Sequence, residues 1–314
     1  MLKPIRPDLS QAHAIINARS GKAEGARMVE DLTAAVSAAG GALTVHLDRK
    51  SGRIETLTRK ALDKGATTVI AAGGDGTISG VAGEMVGSGV PMGVVPMGTF
   101  NYFARALGVP ETPAEAIRAV TDGVIQPAAV GRINDKVFLN NTSIGIYSAI
   151  LKEREETYAR FGRSRIAAYW SVLRALIKFY DPMTMSITVD GKQLSVRSPL
   201  AFVGHSAYQL ERFDLEGAEA VRDGKLALFL ADDVGRRGLV RHAFRLATRR
   251  MQAGRDFRLV TGSEIVIDPG RHKRLVVRDG EKAPMRGPYR ISIEHGALDV
   301  IRPKDVPTDD PEVQ

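Results

Sequence analysis

The stretch Thr67-Thr68-Val69-Ile70-Ala71-Ala72-Gly73-Gly74-Asp75-Gly76-Thr77 decides how the chain is read. Six β-forming or small apolar residues run into two glycines, and Ile78, Val81, Met85 and Val86 then recur at helical spacing. The pattern predicts a strand, a tight turn and a helix. Ligands of open α/β sheets bind at the carboxyl ends of strands, where this turn falls. Small residues there let backbone amides approach phosphate oxygens, and a helix N-terminus favours negative charge.

The same alternation extends outward on both sides. Residues 12–17 (AHAIIN) read as a strand, and 20–40 as a helix with Val29, Leu32, Val36 and Ala39 on one face. Residues 42–47 read as a second strand, and Ile54, Leu57 and Ala61 mark another helix. A fourth strand is expected at 92–96, and a helix at 112–122 with Ala114, Ile117 and Val120 aligned. Strands alternating with helices predict βαβ units and a parallel sheet covered by helices on both faces, a three-layer arrangement.

Beyond residue 125 the texture changes. Short β-rich pieces at 137–140, 185–189, 200–203, 226–230, 264–267, 275–277, 289–293 and 297–301 predict an antiparallel sandwich or barrel. Helical segments are expected near 150–180 and 236–252. The expected fold class is therefore α/β plus β. An α/β nucleotide-binding domain covers 1–128, a β-rich domain covers 129–302, and a frayed tail covers 303–314.

Composition agrees with a folded two-domain protein. The 314 residues are 44% hydrophobic and 25% charged, which excludes a disordered chain, a collagen and a coiled coil. The 44 Lys and Arg exceed the 36 Asp and Glu, a net charge of +8 that suits an anionic partner. With no cysteine, disulfides, thiolate zinc sites and Cys nucleophiles are excluded. The six histidines show no metal-ligand spacing. No secretory signal is visible, and no stretch approaches the ~20 apolar residues that span a bilayer. The expected location is cytoplasmic, with membrane contact only peripheral.

Three polar turns fall at one edge of the expected sheet: Asn17-Ala18-Arg19-Ser20-Gly21-Lys22, Gly73–Thr77, and Gly98-Thr99-Phe100-Asn101. One nucleotide could touch all three. Asp75 suits a metal held with the phosphates, or a plain helix cap. Lys22 and Arg105 suit either a phosphate or the solvated surface.

With those residues in view, the chain resembles the diacylglycerol kinase catalytic-domain family, which includes bacterial lipid kinases and sphingosine kinases. That family shares a superfamily with NAD kinases and 6-phosphofructokinases. The likeness runs from Asn17 to about Arg302. Asn141-Thr142-Ser143-Ile144-Gly145 looks like the family's Asn-x-x-Ser-x-Gly segment. Arg222-Asp223-Gly224-Lys225-Leu226 looks like its Asp-Gly-x-Leu turn, which implies a structural Mg²⁺ on Asp223 and the carbonyls of Ala220 and Lys225. Asp279-Gly280-Glu281 looks like its late Asp-Gly-Glu motif, which implies Glu281 as proton acceptor with Asp279 as orienter or second carboxylate. By spacing alone, Asp279-Gly280 reads as a β-hairpin turn. The chain departs from the family pattern at Tyr102, Ser79 and Ala227, where a second acid, an Asn and an Asp are common, and across Gly204–Leu210.

The resemblance implies phosphoryl transfer from ATP, with Mg²⁺ near Asp75, to a lipid alcohol. Diacylglycerol is the default acceptor, with ceramide, a sphingoid base and phosphatidylglycerol as others. The partner surface expected is an anionic membrane. Residues 236–258 carry eight Arg with Val240, Phe244, Ala247 and Met251 at helical spacing. Residues 154–180 carry Ile166, Trp170, Leu173 and Ile177 in a stripe. The first reads equally as a packed helix with a solvated Arg face, and a stripe like the second is more often core. Dimers are the commonest oligomer, so a homodimer is the expected assembly. Two rivals stand beside the lipid kinase: a soluble NAD kinase-like enzyme, and a nucleotide- or lipid-binding regulator without turnover. No nucleic-acid recognition motif accompanies the basic charge.

Overall fold

The computed structural model describes residues 5–17, 22–49, 52–150, 153, 181–235, 237–238, 241, 244–245, 248, 250, 254, 256–270 and 273–304, with the side chains of 22–24 excepted. The chain divides into two compact units, Met1–Val130 with Glu294–Gln314, and Gly131–Ile293. Much of the segments expected as helices near 150–180 and 236–252, and most of the tail, lie outside the described residues.

The first unit is built on four parallel strands: β1 (Ala12–Asn17), β2 (Leu43–Asp48), β3 (Thr68–Gly73) and β4 (Met92–Pro96). They lie side by side in the order β2-β1-β3-β4. Ile15, Ile16, Val69, Ile70, Ala71 and Ala72 are fully buried, as continuous apolar runs require when helices cover both faces. The helices are α1 (Lys22–Ala38), α2 (Ile54–Asp63), α3 (Asp75–Met85), α4 (Tyr102–Ala106) and α5 (Pro113–Asp122). Helix α1 packs beside α5, and α2 beside α3. The chain steps from β1 out to β2, then returns past β1 to β3. That reversal places a topological switch between the carboxyl ends of β1 and β3, where ligands of open α/β sheets bind.

The last strand, β16 (Tyr289–Arg302), begins in the second unit and ends in the first. Its Val300 pairs in parallel with Met92 of β4, and Leu298, Val300 and Ile301 are buried. Residues 294–302 thus join the first unit, whereas the sequence division placed them with the second. The pairing gives β4 a neighbour on its outer edge, whose backbone groups would otherwise be open. The two pieces expected at 289–293 and 297–301 are one strand, continuous through Gly296.

The second unit is an antiparallel sandwich. One sheet orders β12 (Phe257–Gly262), β11 (Leu226–Ala231), β10 (Leu200–Gly204), β7 (Asn141–Gly145), β14 (Lys273–Arg278) and β15 (Glu281–Arg286). The other runs from the start of β16 through β13 (Glu264–Asp268) and β8 (Met183–Val189) to β9 (Lys192–Ser198). Ile144, Val203, Leu228 and Val276 of the first sheet share one core with Met185, Ile187, Ile267 and Ile291 of the second. The hairpin of β5 (Val124–Ile133) and β6 (Lys136–Phe138) leads into β7. Two short helices, α6 (Ala207–Arg212) and α7 (Ala218–Arg222), cover a smaller core around Leu210, Ala227, Phe229 and Phe257.

Candidate active site

In the first unit the polar turns meet through close backbone contact. Gly74 caps α3, and its carbonyl accepts the amides of Thr77 and Ile78 at 2.9 and 3.1 Å. The Met97 amide donates to the Gly73 carbonyl at 2.8 Å, which ties the turn after β4 to the turn after β3. A Cβ on Gly98 would lie 2.7 Å from the Gly74 Cα and 2.6 Å from Asn101 Oδ1. A Cβ on Gly73 would lie 2.6 Å from the Thr77 side chain. Glycine is required here because two turns touch, and the result is bare backbone facing the strand ends.

Asp75 locks this contact. Its Oδ2 accepts the Asn101 amide at 2.9 Å and its Oδ1 accepts the Tyr102 amide at 2.8 Å. Asn101 stands in the left-handed region (φ 49°, ψ 44°), a conformation that Asn tolerates, and caps α4. Its side chain closes the turn on both sides, with Oδ1 accepting the Gly98 amide at 3.0 Å and Nδ2 donating to the Gly98 carbonyl at 2.9 Å. The alternative of Asp75 as a cap therefore holds, but for α4 across the sheet edge. At Tyr102 the backbone amide, rather than a side-chain acid, meets Asp75.

The first turn joins at Asn17, whose Nδ2 donates to Thr77 Oγ1 at 3.0 Å across the switch between β1 and β3. Thr77 is buried, while Gly98 and Thr99 are exposed and Gly76 is half-buried. Ser20 and Gly21 lie outside the described residues, as does the Lys22 side chain. Arg105 forms an ion pair with Glu111.

In the second unit, Asp279 and Gly280 form the two-residue turn between β14 and β15. Their φ values of 46° and 90° are those of the hairpin turn that Asp-Gly favours. The Asp279 carboxylate does more than turn the chain. Its Oδ2 accepts the Leu139 amide at 2.7 Å, and its Oδ1 accepts the Asn140 and Asn141 amides at 2.7 and 3.0 Å. Its own amide donates to the Asn141 carbonyl at 3.0 Å. Asp279 is thus a clamp on three buried backbone amides rather than a carboxylate facing a substrate. Glu281, at the start of β15, is exposed.

The clamped segment is itself braced. His205 Nδ1 contacts the Leu139 carbonyl at 2.9 Å, so that nitrogen carries the proton. The His205 amide donates to the Asn140 carbonyl at 2.8 Å, and Asn141 Nδ2 donates to Gln209 Oε1 at 2.9 Å. Leu139 and Asn140 belong to no motif, and His205 and Gln209 fall in Gly204–Leu210, where the chain departs from the family pattern. Their signal is tertiary, because the segments come together only in the sandwich.

The residues that would hold a structural Mg²⁺ form the end of α7. Lys225 donates its amide to the Ala220 carbonyl at 2.9 Å, Gly224 donates to Val221 at 3.1 Å, and Gly224 has φ 76°. This is a Schellman cap, closed by the backbone alone. Asp223 is the single carboxylate of the three residues. Ala227, where a second acid is common, is fully buried in the core with Phe229 and Phe257. One carboxylate and two carbonyls would leave waters to fill the rest of the octahedral shell that Mg²⁺ demands. Among the described residues, no group of three His, Asp or Glu is arranged to hold an ion. At Asp75 the fit is better, since carboxylate oxygens accept several donors each and can keep both amides while meeting an ion.

At the far, amino end of the sheet, His13 Nδ1 and His46 Nε2 lie 3.0 Å apart and buried. Burial pushes both imidazoles below their ordinary range, with smaller effects of the same sign from Lys64 on His13 and from His13, Lys60 and Lys64 on His46.

Comparison with known proteins places this geometry. Residues 11–133 match the diacylglycerol kinase catalytic domain. Residues 142–302, about half of the chain, match the YegS C-terminal NAD kinase beta sandwich-like domain. A "probable lipid kinase YegS-like" of Pseudomonas aeruginosa is 36% identical over 138 residues, 43% of this chain and 45% of that protein. One of the same name in Pseudomonas putida is 30% identical over 182 residues, 56% of this chain and 60% of that protein. The matched stretch thus spans about half the length of these curated relatives. A crystal structure described as a diacylglycerol kinase from Bacillus anthracis aligns with a TM-score of 0.66 at 19% identity, over 97% of this chain and 98% of that one. At that identity the likeness is one of fold.

Proposed function

The chain belongs to the diacylglycerol kinase catalytic-domain family, in the form with a YegS-type C-terminal domain, and from that premise we propose that it transfers the γ-phosphoryl group of ATP to a lipid hydroxyl. The observation that carries the reading is the pair of glycine turns locked by Asp75. The glycine backbone at Gly73 and Gly74, at the N-terminus of α3, suits the phosphates of a nucleotide, while the Gly98 amide is taken by Asn101 Oδ1. Phosphoryl transfer needs positioning and charge neutralisation more than covalent chemistry, and a pinned turn supplies the first.

Asn17, Gly73, Gly74, Gly76, Thr77, Gly98, Thr99 and Asn101 are assigned to the nucleotide, and Asp75 holds their frame. Asp75 is the acid of this turn that would meet a Mg²⁺ bound with ATP, and the ion would supply charge neutralisation at the phosphates. Glu281 is assigned as the base that takes the proton of the acceptor hydroxyl. Asp279 positions that glutamate by fixing the turn before it.

Diacylglycerol is the default acceptor, with ceramide, a sphingoid base and phosphatidylglycerol as the others. An anionic bilayer is the surface assigned to present it. Exposed Arg237 and Arg241 accompany Phe244, which is 67% exposed, and basic residues near such a surface each contribute about 1 kcal/mol.

The test is transfer of labelled phosphate from ATP·Mg²⁺ into these lipids in mixed micelles, beside Glu281→Gln, with NAD as soluble acceptor. A labelled lipid that disappears with Glu281→Gln supports the reading. Labelled NADP would make the protein an NAD kinase-like enzyme. ATP binding with no labelled product would make it a regulator.

A further inference from the structure

Phe100 is the residue of the first unit's turns that the phosphate reading leaves without a task. It is 52% exposed. A single exposed apolar residue is ordinary. This one is ordered against a neighbour: its ring stacks on Tyr102 with centroids 5.5 Å apart and planes only 6° from parallel. The backbone under both rings is pinned, because the amides of Asn101 and Tyr102 are the two that Asp75 holds. Two residues before Phe100 lies Gly98, whose contact with Gly74 forms the bare backbone assigned to phosphate.

We propose that Phe100 is the platform for the nucleotide's base, with the purine ring of ATP stacking on its exposed face and Tyr102 backing it. The inference rests on the nucleotide reading above and adds how the base is recognised. A flat aromatic pair with an exposed outer face complements a flat heteroaromatic ring, and base–aromatic stacking works through the π-face that every base has. Its position next to the phosphate turn matches a nucleotide, whose base and phosphates are joined by one sugar. Stacking reads no hydrogen-bonding edge, so ATP and GTP gain from it alike, and inorganic tripolyphosphate gains nothing.

The test is equilibrium binding of ATP, GTP and tripolyphosphate, each with Mg²⁺, to the full chain and to Phe100→Ala, Phe100→Leu and Phe100→Trp. Phe100→Leu keeps the apolar bulk and removes the π-face. Expected are losses of about fivefold or more in ATP and GTP affinity for the Ala and Leu variants, unchanged tripolyphosphate binding, and wild-type or tighter affinity for Trp. Wild-type ATP affinity in Phe100→Ala or Phe100→Leu would overturn the platform while leaving the nucleotide reading standing. An equal loss for tripolyphosphate would overturn it as well, since the turn and not the base would then be affected. A wild-type chain that binds no nucleotide would remove both readings together.

Discussion

Replacing Asp279 with Asn separates a structural clamp from a chemical group. Asn is favoured before Gly in this hairpin turn and tolerates the φ of 46°, so the turn itself is preserved. What changes is the set of acceptors. The carboxylate takes three amides, two on Oδ1 and one on Oδ2, and those amides belong to Leu139, Asn140 and Asn141, all at most 4% exposed. An Asn side chain can keep its oxygen on the Asn140 and Asn141 amides. Its NH₂ then faces the Leu139 amide, donor against donor. One buried amide left unsatisfied costs about 1–3 kcal/mol, and the two that remain lose their charge assistance, about 1 kcal/mol in total. The expected destabilisation is about 2–4 kcal/mol. For a unit of this size that lowers Tm by roughly 4–16 °C. The assay is thermal and urea unfolding of wild type, Asp279→Asn and Glu281→Gln under one buffer. Glu281→Gln, at an exposed site, is expected to unfold within about 0.5 kcal/mol of wild type. If Asp279→Asn unfolded like wild type while turnover vanished, Asp279 would be acting on the substrate and the clamp would be wrong.

Other outcomes follow from the same contacts. Asp75→Asn frees one of the two amides that hold the turn at Asn101 and Tyr102 and removes the charge on the other, so ATP affinity measured by calorimetry should fall about tenfold or more. Gly98→Ala would put a methyl 2.7 Å from the Gly74 backbone, which cannot give way as a side chain could; nucleotide binding should be lost in a chain whose second unit still melts normally. The His13–His46 pair sets an acid limit. Both groups are held below the ordinary value of 6.5, so the unfolded chain binds protons first as pH falls. Stability should be full above that value and decline below it, and urea midpoints taken from pH 7.5 to 5 should show a shallower slope in His46→Gln, where only His13 remains.

Much of the fold is legible in the chain because its signals are local. The run TTVIAA ends in Gly-Gly, and strands β1 and β4 fall where alternation places them, since buried parallel strands are short apolar runs between helices. Strands β9 and β15 escape that reading. The sequences KQLSVRS and EKAPMR have much of their length exposed, so neither shows a strong apolar pattern. Each follows an Asp-Gly turn, Asp190-Gly191 and Asp279-Gly280, with positive φ at all four residues. Asp279-Gly280 reads as a hairpin turn from the sequence, and Asp190-Gly191 carries the same signal for the other hairpin. Strand β12 and the long β5 were missed as well, and the joining of β16 to β4 has no local mark at all.

The sequence by itself determined the class of each half, the glycine turns, and the Asp-Gly-Glu that carries Glu281, because periodicity and turn chemistry are properties of neighbouring residues. It also named Asp75 and Asp279 without deciding what either does. Only the tertiary structure decided that Asp75 caps a helix 26 residues away, that Asp279 gathers amides some 140 residues away, and that the 220–225 turn closes on itself. A carboxylate's role is set by the donors that reach its oxygens. In this protein those donors are backbone amides brought near by the packing of sheets, which no spacing along the chain records.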